Sequence, residues 1–131
     1  MNSAFSDTQK NIIPTVTVSA DKNPYSYADP GNATQDKVFL LSVVEVNQYF
    51  PLYSDRQCQA TNYAEAHDSG VDSSNNCCWW LRSPGINQTG AAIVDWDGIV
   101  TRTGKVADLD KISVRPAIWI DLNLFYSNSG D

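Results

Sequence analysis

Two segments of this chain carry the most informative pattern of apolar positions. Trp79-Trp80-Leu81-Arg82-Ser83-Pro84-Gly85 and Val114-Arg115-Pro116-Ala117-Ile118-Trp119-Ile120 each read as a buried strand, with one arginine and a proline that stops or bends it. Trp79 and Leu81 fall on one face of their strand, Trp80 and Arg82 on the other. Both faces then look buried, as in a central strand, and Trp119 alternates with Ile118 and Ile120 in the same way. Period-two patterning also marks Ala91 to Asp95 and Ile99 to Thr103, with Asp97-Gly98 between them as a hairpin signal. Thr103-Gly104-Lys105 reads as a further turn.

Upstream the period changes. Lys37 to Leu41 is a short apolar run, read as a buried strand. Ser42 with Glu45 is a capping box, so a helix should start there and run to Phe50, where Pro51 ends it. Val43, Val46, Asn47 and Phe50 give it a mostly apolar face. Ser54-Asp55-Arg56-Gln57 repeats the capping signature for a shorter helical turn, and Thr61 can cap a third helix from Asn62 to Ala66. Residues 1–36 are mostly turn punctuation, apart from a short strand in Thr15 to Ser19, and residues 68–76 form a loop. Helices first and antiparallel strands later predict a single α+β domain over residues 1–131.

Composition narrows the function. The net charge is −6, from 15 acidic against 9 basic residues, and no basic cluster offsets it. Nucleic-acid and anionic-membrane partners are therefore not expected. No apolar run is long enough to span a bilayer, and Met1 to Lys10 lacks the charged and apolar regions of a secretory signal. The cysteines Cys58, Cys77 and Cys78 form no CxxC pair, and with His67 they make a poor zinc set, so reduced thiols are the plain reading. Asp95, Asp97, Asp108 and Asp110 invite calcium, but their spacing fits no EF-hand loop. No metal and no cofactor are expected. His67 lies in a polar region without a Gly-x-Ser-x-Gly elbow, and no enzyme activity is expected.

Several blocks carry a resemblance: Asn2 to Ser6, Asp36 to Ser42, Glu45 with Tyr49-Phe50, Thr61 with Tyr63-Ala64, Trp79 to Gly85, Asp97-Gly98 and Val114 to Ile120. In this order they resemble a group of bacterial domains of unassigned function, common in gut bacteria. That group is similar to the C-type-lectin-like superfamily, which includes formylglycine-generating enzymes and the variable proteins of diversity-generating retroelements. The resemblance implies a C-type-lectin-like fold, short helices on a small twisted sheet, and a mutable ligand-binding face on a fixed scaffold. It also implies a cell-surface or phage-particle location. Formylglycine chemistry would need paired cysteines late in the fold, and none follows Cys78. Members of the group carry additional strands upstream of the position of Met1. An uncovered sheet edge, and self-association through it, are expected on that ground.

The expected frame is Trp79, Trp80, Arg82, Arg115 and Trp119. Each arginine should be held by carboxylates or carbonyls, with Asp36, Glu45, Asp108 and Asp110 as candidate partners. On the hairpins, Ala92, Val94 and Val100 facing inward would leave Ile93, Asp95, Ile99, Thr101 and Thr103 facing outward. Trp96 sits at the hairpin turn; Ile86, Asn87, Gln88 and Thr89 extend the surface, with Arg102 and Lys105 at its margin. Outward isoleucines suit either recognition or a second packed layer, and the resemblance tips the reading to recognition. The expected function is non-catalytic binding of a protein or glycan ligand through residues 86–111. The alternative is an assembly module whose apolar hairpin face packs on another subunit or domain.

Overall fold

A computed structural model describes residues 5–106 and 111–129, with the side chains of Arg102, Val106, Asn128 and Ser129 left outside that description. The chain forms a small α+β domain in which short helices border two antiparallel sheets. In order these are α1 (Asp7–Asn11), β1 (Val16–Val18), β2 (Thr34–Asp36), α2 (Val43–Tyr49), α3 (Tyr53–Arg56), α4 (Asn62–Ala66), β3 (Trp79–Pro84), β4 (Gly90–Val94), β5 (Val100–Val106) and α5 (Leu122–Ser129). β1 pairs with β2; β3, β4 and β5 form the second sheet in that order.

Local chemistry sets the helix starts. Ser42 caps α2 by accepting from the Glu45 amide at 3.2 Å, while Glu45 Oε2 accepts from the Ser42 amide at 2.9 Å. Ser6 and Gln9 build the same box on α1, which a reading of residues 1–36 as punctuation overlooks. Thr61 caps α4 by accepting from the Ala64 amide. Each such cap is worth about 1 kcal/mol. α3 spans Tyr53–Arg56 with Leu52 at its N-cap, two residues before the Ser54 cap expected from the sequence, and no side chain caps it. Asp121 accepts from the Asn123 and Leu124 amides at the start of α5, which the sequence reading also missed.

The core joins α2 to the sheet. Val43 and Val46 pack with Trp79, Leu81, Ala92 and Val94, and Leu41, Cys58 and Val100 close over them. The alternation predicted for Trp79 and Leu81, and for Ala92, Val94 and Val100, therefore holds. β4, not β3, is the central strand.

Arg82 secures the junction between α2 and β3. Its guanidinium reaches both carboxylate oxygens of Glu45, Asp21 Oδ2 at 3.0 Å, and the carbonyls of Ser19 and Leu40 at 3.0 and 2.9 Å. Ser42 Oγ donates to Asp21 Oδ2 at 2.7 Å, so Ser42, Glu45, Arg82 and Asp21 close into a ring. Of the proposed carboxylate partners Glu45 is the one used. Asp36 lies in β2, Asp108 and Asp110 lie outside the described residues, and Asp21 had not been considered. Beside the ring, Ser83 Oγ accepts from the Val43 amide at 3.0 Å. Asn23, 1% exposed, donates to the Pro84 carbonyl and so binds the loop after β1 to the end of β3.

Several strand expectations are corrected. Lys37 to Leu41 and Ser113 to Ile120 form no full strands; one antiparallel bridge, Phe39 to Ala117, joins them. Pro116 has no N–H to continue a ladder. Ser113 meets β3 in a single parallel bridge to Trp79. Trp119 is 49% exposed, because the chain leaves the sheet before reaching it. Ile93 is fully buried, set in register between Trp80 and Thr101. Thr103-Gly104-Lys105 is not a turn but part of β5. Gly104 adopts φ +67° there, and an added Cβ would stand 2.3 Å from the Ala91 carbonyl oxygen.

Breaking the ring should be costly, because it strands two carboxylates that are mostly covered. Arg82→Met is expected to lower unfolding free energy in urea by about 3 kcal/mol. Arg82→Lys should recover only part of it, since an ammonium cannot fork to both acids. An unchanged urea midpoint in Arg82→Met would refute this role.

Candidate functional site

The residues predicted to form one binding surface separate into two groups at opposite ends of β4. Five strand residues place the two ends roughly 17 Å apart. At one end lie Ile86, Asn87, Gln88 and Thr89, all exposed, with Thr103 and Lys105 of β5 exposed beside them. Asn87 Oδ1 accepts from the Thr89 amide and hydroxyl, and the Ile86 amide donates to the Thr103 carbonyl at 2.9 Å. The Arg102 side chain lies outside the described residues.

The other end is the β4–β5 hairpin. The Asp95 amide donates to the Ile99 carbonyl at 2.8 Å, and Gly98 N–H returns to the Asp95 carbonyl at 2.9 Å. Asp97 Oδ1 accepts from the Ile99 amide. Gly98 is buried with φ +86°, and a Cβ there would stand 2.0 Å from the Tyr53 carbonyl oxygen. The tip is thus seated directly on the backbone of α3. Trp96 and Ile99, each 45% exposed, project from this seated turn. Between the two ends the predicted surface is interrupted: Ile93 is buried, and Thr101 is half-buried with its hydroxyl donating to the Ile93 carbonyl. Asp95 is also turned to internal work, accepting from Cys78 Sγ at 3.0 Å and from the Trp96 amide at 3.0 Å.

Beside the tip lies a cleft of about 370 Å³ lined by Tyr25, Asn47, Pro51, Tyr53, Arg56, Ile99 and Val100. Only Ile99 belongs to the predicted surface. The cleft arises because α2, α3 and the hairpin converge, an assembly with no local signature in the sequence. Arg56 is buried at 7% exposure; its Nε donates to the Phe50 carbonyl at 2.7 Å, and its Cζ lies 5.2 Å from the Tyr53 ring centroid. The Arg56 carbonyl accepts from the Trp79 indole at 2.9 Å and from Arg115 Nη1 at 3.4 Å. Arg115 sits over the rings of Phe50 and Trp79, at 5.1 and 4.9 Å, and has no ion-pair partner among the described residues. Its frame role is carried by π faces and a carbonyl rather than by a carboxylate.

A second groove, about 340 Å³, runs between Phe39, Leu41, Glu45, Tyr49, Phe50 and the Ala117 to Trp119 segment. His67 is exposed and stacks on Tyr63 at 4.0 Å between centroids. Among the described residues, no three His, Cys, Asp or Glu side chains gather as metal ligands would.

The sequence model of one domain family matches residues 1–122. The chain belongs to the family of domains of unknown function DUF6273. No curated protein and no solved structure matches the chain. Within this DUF6273 domain the hairpin seat and the Arg56 cleft are built from four separate stretches, at residues 25, 47–56, 79 and 95–100.

Two outcomes are expected. Gly98→Ala adds a positive-φ penalty and a backbone clash, and should lower stability by about 2 kcal/mol or more, read as a fall in melting temperature. Burial, reinforced by the Asp95 carboxylate, pushes the Cys78 thiol up to about 12. Cys78 therefore stays a thiol in the folded state at pH 8 and should resist iodoacetamide until the protein unfolds. The unfolded thiol titrates near pH 9, so its stabilising contribution should be intact below that and decline toward pH 12. Cys78→Ala should flatten that part of the stability profile relative to wild type.

Proposed function

We propose that this domain is a non-catalytic recognition module of C-type-lectin-like type, related in design to the variable proteins of diversity-generating retroelements. It binds a protein or glycan on another surface, and the 95–99 hairpin is its principal contact. The observation that carries this reading is the hairpin seat. Trp96 and Ile99 are held half-exposed on a turn clamped by its own hydrogen bonds and by contact with the Tyr53 backbone. Large side chains presented without freedom lose little entropy on binding, which is what an aromatic anchor needs. The Ile86 to Thr89 loop, with Thr103 and Lys105, forms a separate second strip that a large ligand can reach but a small one cannot bridge.

One further observation favours assembly as a second reading. Trp119, Ile120, Leu122, Leu124 and Phe125 are all at least 44% exposed, an apolar run continuing from the Phe39–Trp119 groove. Such a run fits burial against a sister subunit or a neighbouring domain.

Trp96→Ala combined with Ile99→Ser separates the readings. Probed on glycan and protein arrays, the double variant should keep its melting temperature and lose binding by roughly thirtyfold, the scale of an aromatic hot spot. Retained binding would remove the hairpin from the site. Light scattering that shows a wild-type oligomer dissociated by Trp119→Ser with Leu122→Ser, array binding being unchanged, would favour assembly.

A further inference from the structure

Arg56 is buried as a cation without an anion. It is 7% exposed, its Nε donates to the Phe50 carbonyl, its Cζ lies over the Tyr53 ring, and its side chain makes no other hydrogen bond and no ion pair among the described residues. The terminal guanidinium nitrogens therefore have no acceptor among the described residues, and, since no fully buried side-chain nitrogen there lacks a partner, they open to solvent in the cleft. A guanidinium cannot shed its proton to escape this, and a buried charge without a counter-charge is costly. Arg82 shows the ordinary solution in the same molecule, with acids and carbonyls on every side. Arg56 instead lines an open cleft that has no acidic residue in its wall.

We infer that the cleft between α2, α3 and the hairpin binds the carboxylate of an acidic sugar, a uronate or sialate residue, through the planar fork of Arg56. This deepens the recognition reading and rests on it. The fork matches a carboxylate in two parallel hydrogen bonds. A single cation in the wall suits a monoanion, whereas a phosphate dianion calls for at least two positive donors. The rest of the wall selects the body that carries the carboxylate. Tyr25 and Tyr53 put aromatic residues into the lining, suited to the C–H face of a pyranose. Asn47 adds an exposed amide that both donates and accepts, as sugar hydroxyls require. A volume of about 370 Å³, open at the Ile99 side, accommodates one hexose-sized unit.

Amide and arginine side-chain resonances of the whole chain, followed by NMR during titration, test this. The probes are sodium glucuronate, glucose, and a short peptide with a free C-terminal carboxylate and no acidic side chain. Glucuronate should perturb Arg56 Nε–H, the Asn47 side-chain amide and the Ile99 amide together, with at least tenfold tighter binding than glucose. Asn47→Ala, at an exposed position, should keep the melting temperature and weaken glucuronate at least threefold. Arg56→Lys should remove the preference over glucose. If that variant does not fold, the Asn47→Ala result and the wild-type ratio decide alone. Equal binding of glucuronate and glucose, perturbations confined to other residues, or no response to glucuronate overturns the assignment. So does binding of the peptide in preference to glucuronate. Failure here with array binding still lost in the Trp96/Ile99 variant would overturn the sugar assignment alone. Array binding unaffected by that variant would overturn the recognition reading from which the assignment starts.

Discussion

The guanidinium of Arg82 is the point at which chain segments remote in sequence become one structure. It belongs to β3, yet it holds the loop after β1 through Ser19 and Asp21, the segment before α2 through Leu40, and α2 itself through Glu45. Glu45 also closes the capping box of α2, so the same carboxylate that starts the helix orients the arginine. An isolated helix of seven residues has too few hydrogen bonds to offset its nucleation cost. Here the cap, the ion pair and the packing of Val43 and Val46 are satisfied by one placement of α2 over β3. Each requirement supports the others, and the domain needs little regular secondary structure to remain ordered.

From that junction the structure extends to the cleft through a second arginine arrangement of a different kind. The carbonyl of Arg56 receives both the Trp79 indole and Arg115, while Arg115 rests on Phe50 and Trp79. A short helix without a side-chain cap is thereby fixed against the core from its C-terminal end. The hairpin tip rests on its N-terminal residue. The cleft wall is rigid because both ends of α3 are held by other parts of the chain, and not because α3 is intrinsically stable.

What could be read from the sequence was what depends on near neighbours. The Ser42–Glu45 capping box, the Thr61 cap, the Asp97-Gly98 turn and the alternation of Trp79 with Leu81 are governed by contacts a few residues apart, and they appear where expected, whereas the box read at Ser54–Gln57 does not form. Glu45 was among the candidate acids for Arg82, whereas Asp21, sixty-one residues away, carried no local mark. Ile93 was misplaced because strand alternation identifies faces but not what covers them. Gly104 resembled a turn because glycine signals positive φ equally in a turn and in an irregular strand. Trp119 reads as core from its alternation with Ile118 and Ile120, but its exposure follows from where the chain leaves the sheet. The Arg56 cleft was beyond reach, since its walls come from residues 25, 47–56 and 99–100 and no spacing rule connects them.

The two ends of β4 also differ in the kind of sequence change each tolerates. At the hairpin, Gly98 fits against Tyr53 with no space for even one added carbon, so the number of residues between Asp95 and Ile99 is fixed by the distance to α3. Side chains there can be exchanged but not inserted. The 86–89 loop is seated at its base, where the Ile86 amide donates to the Thr103 carbonyl, and Asn87 and Thr89 close its tip on itself. Added length there would extend into solvent. Divergence in this domain should accordingly follow two grammars, with substitution at a constant residue count at one end and changes of length at the other.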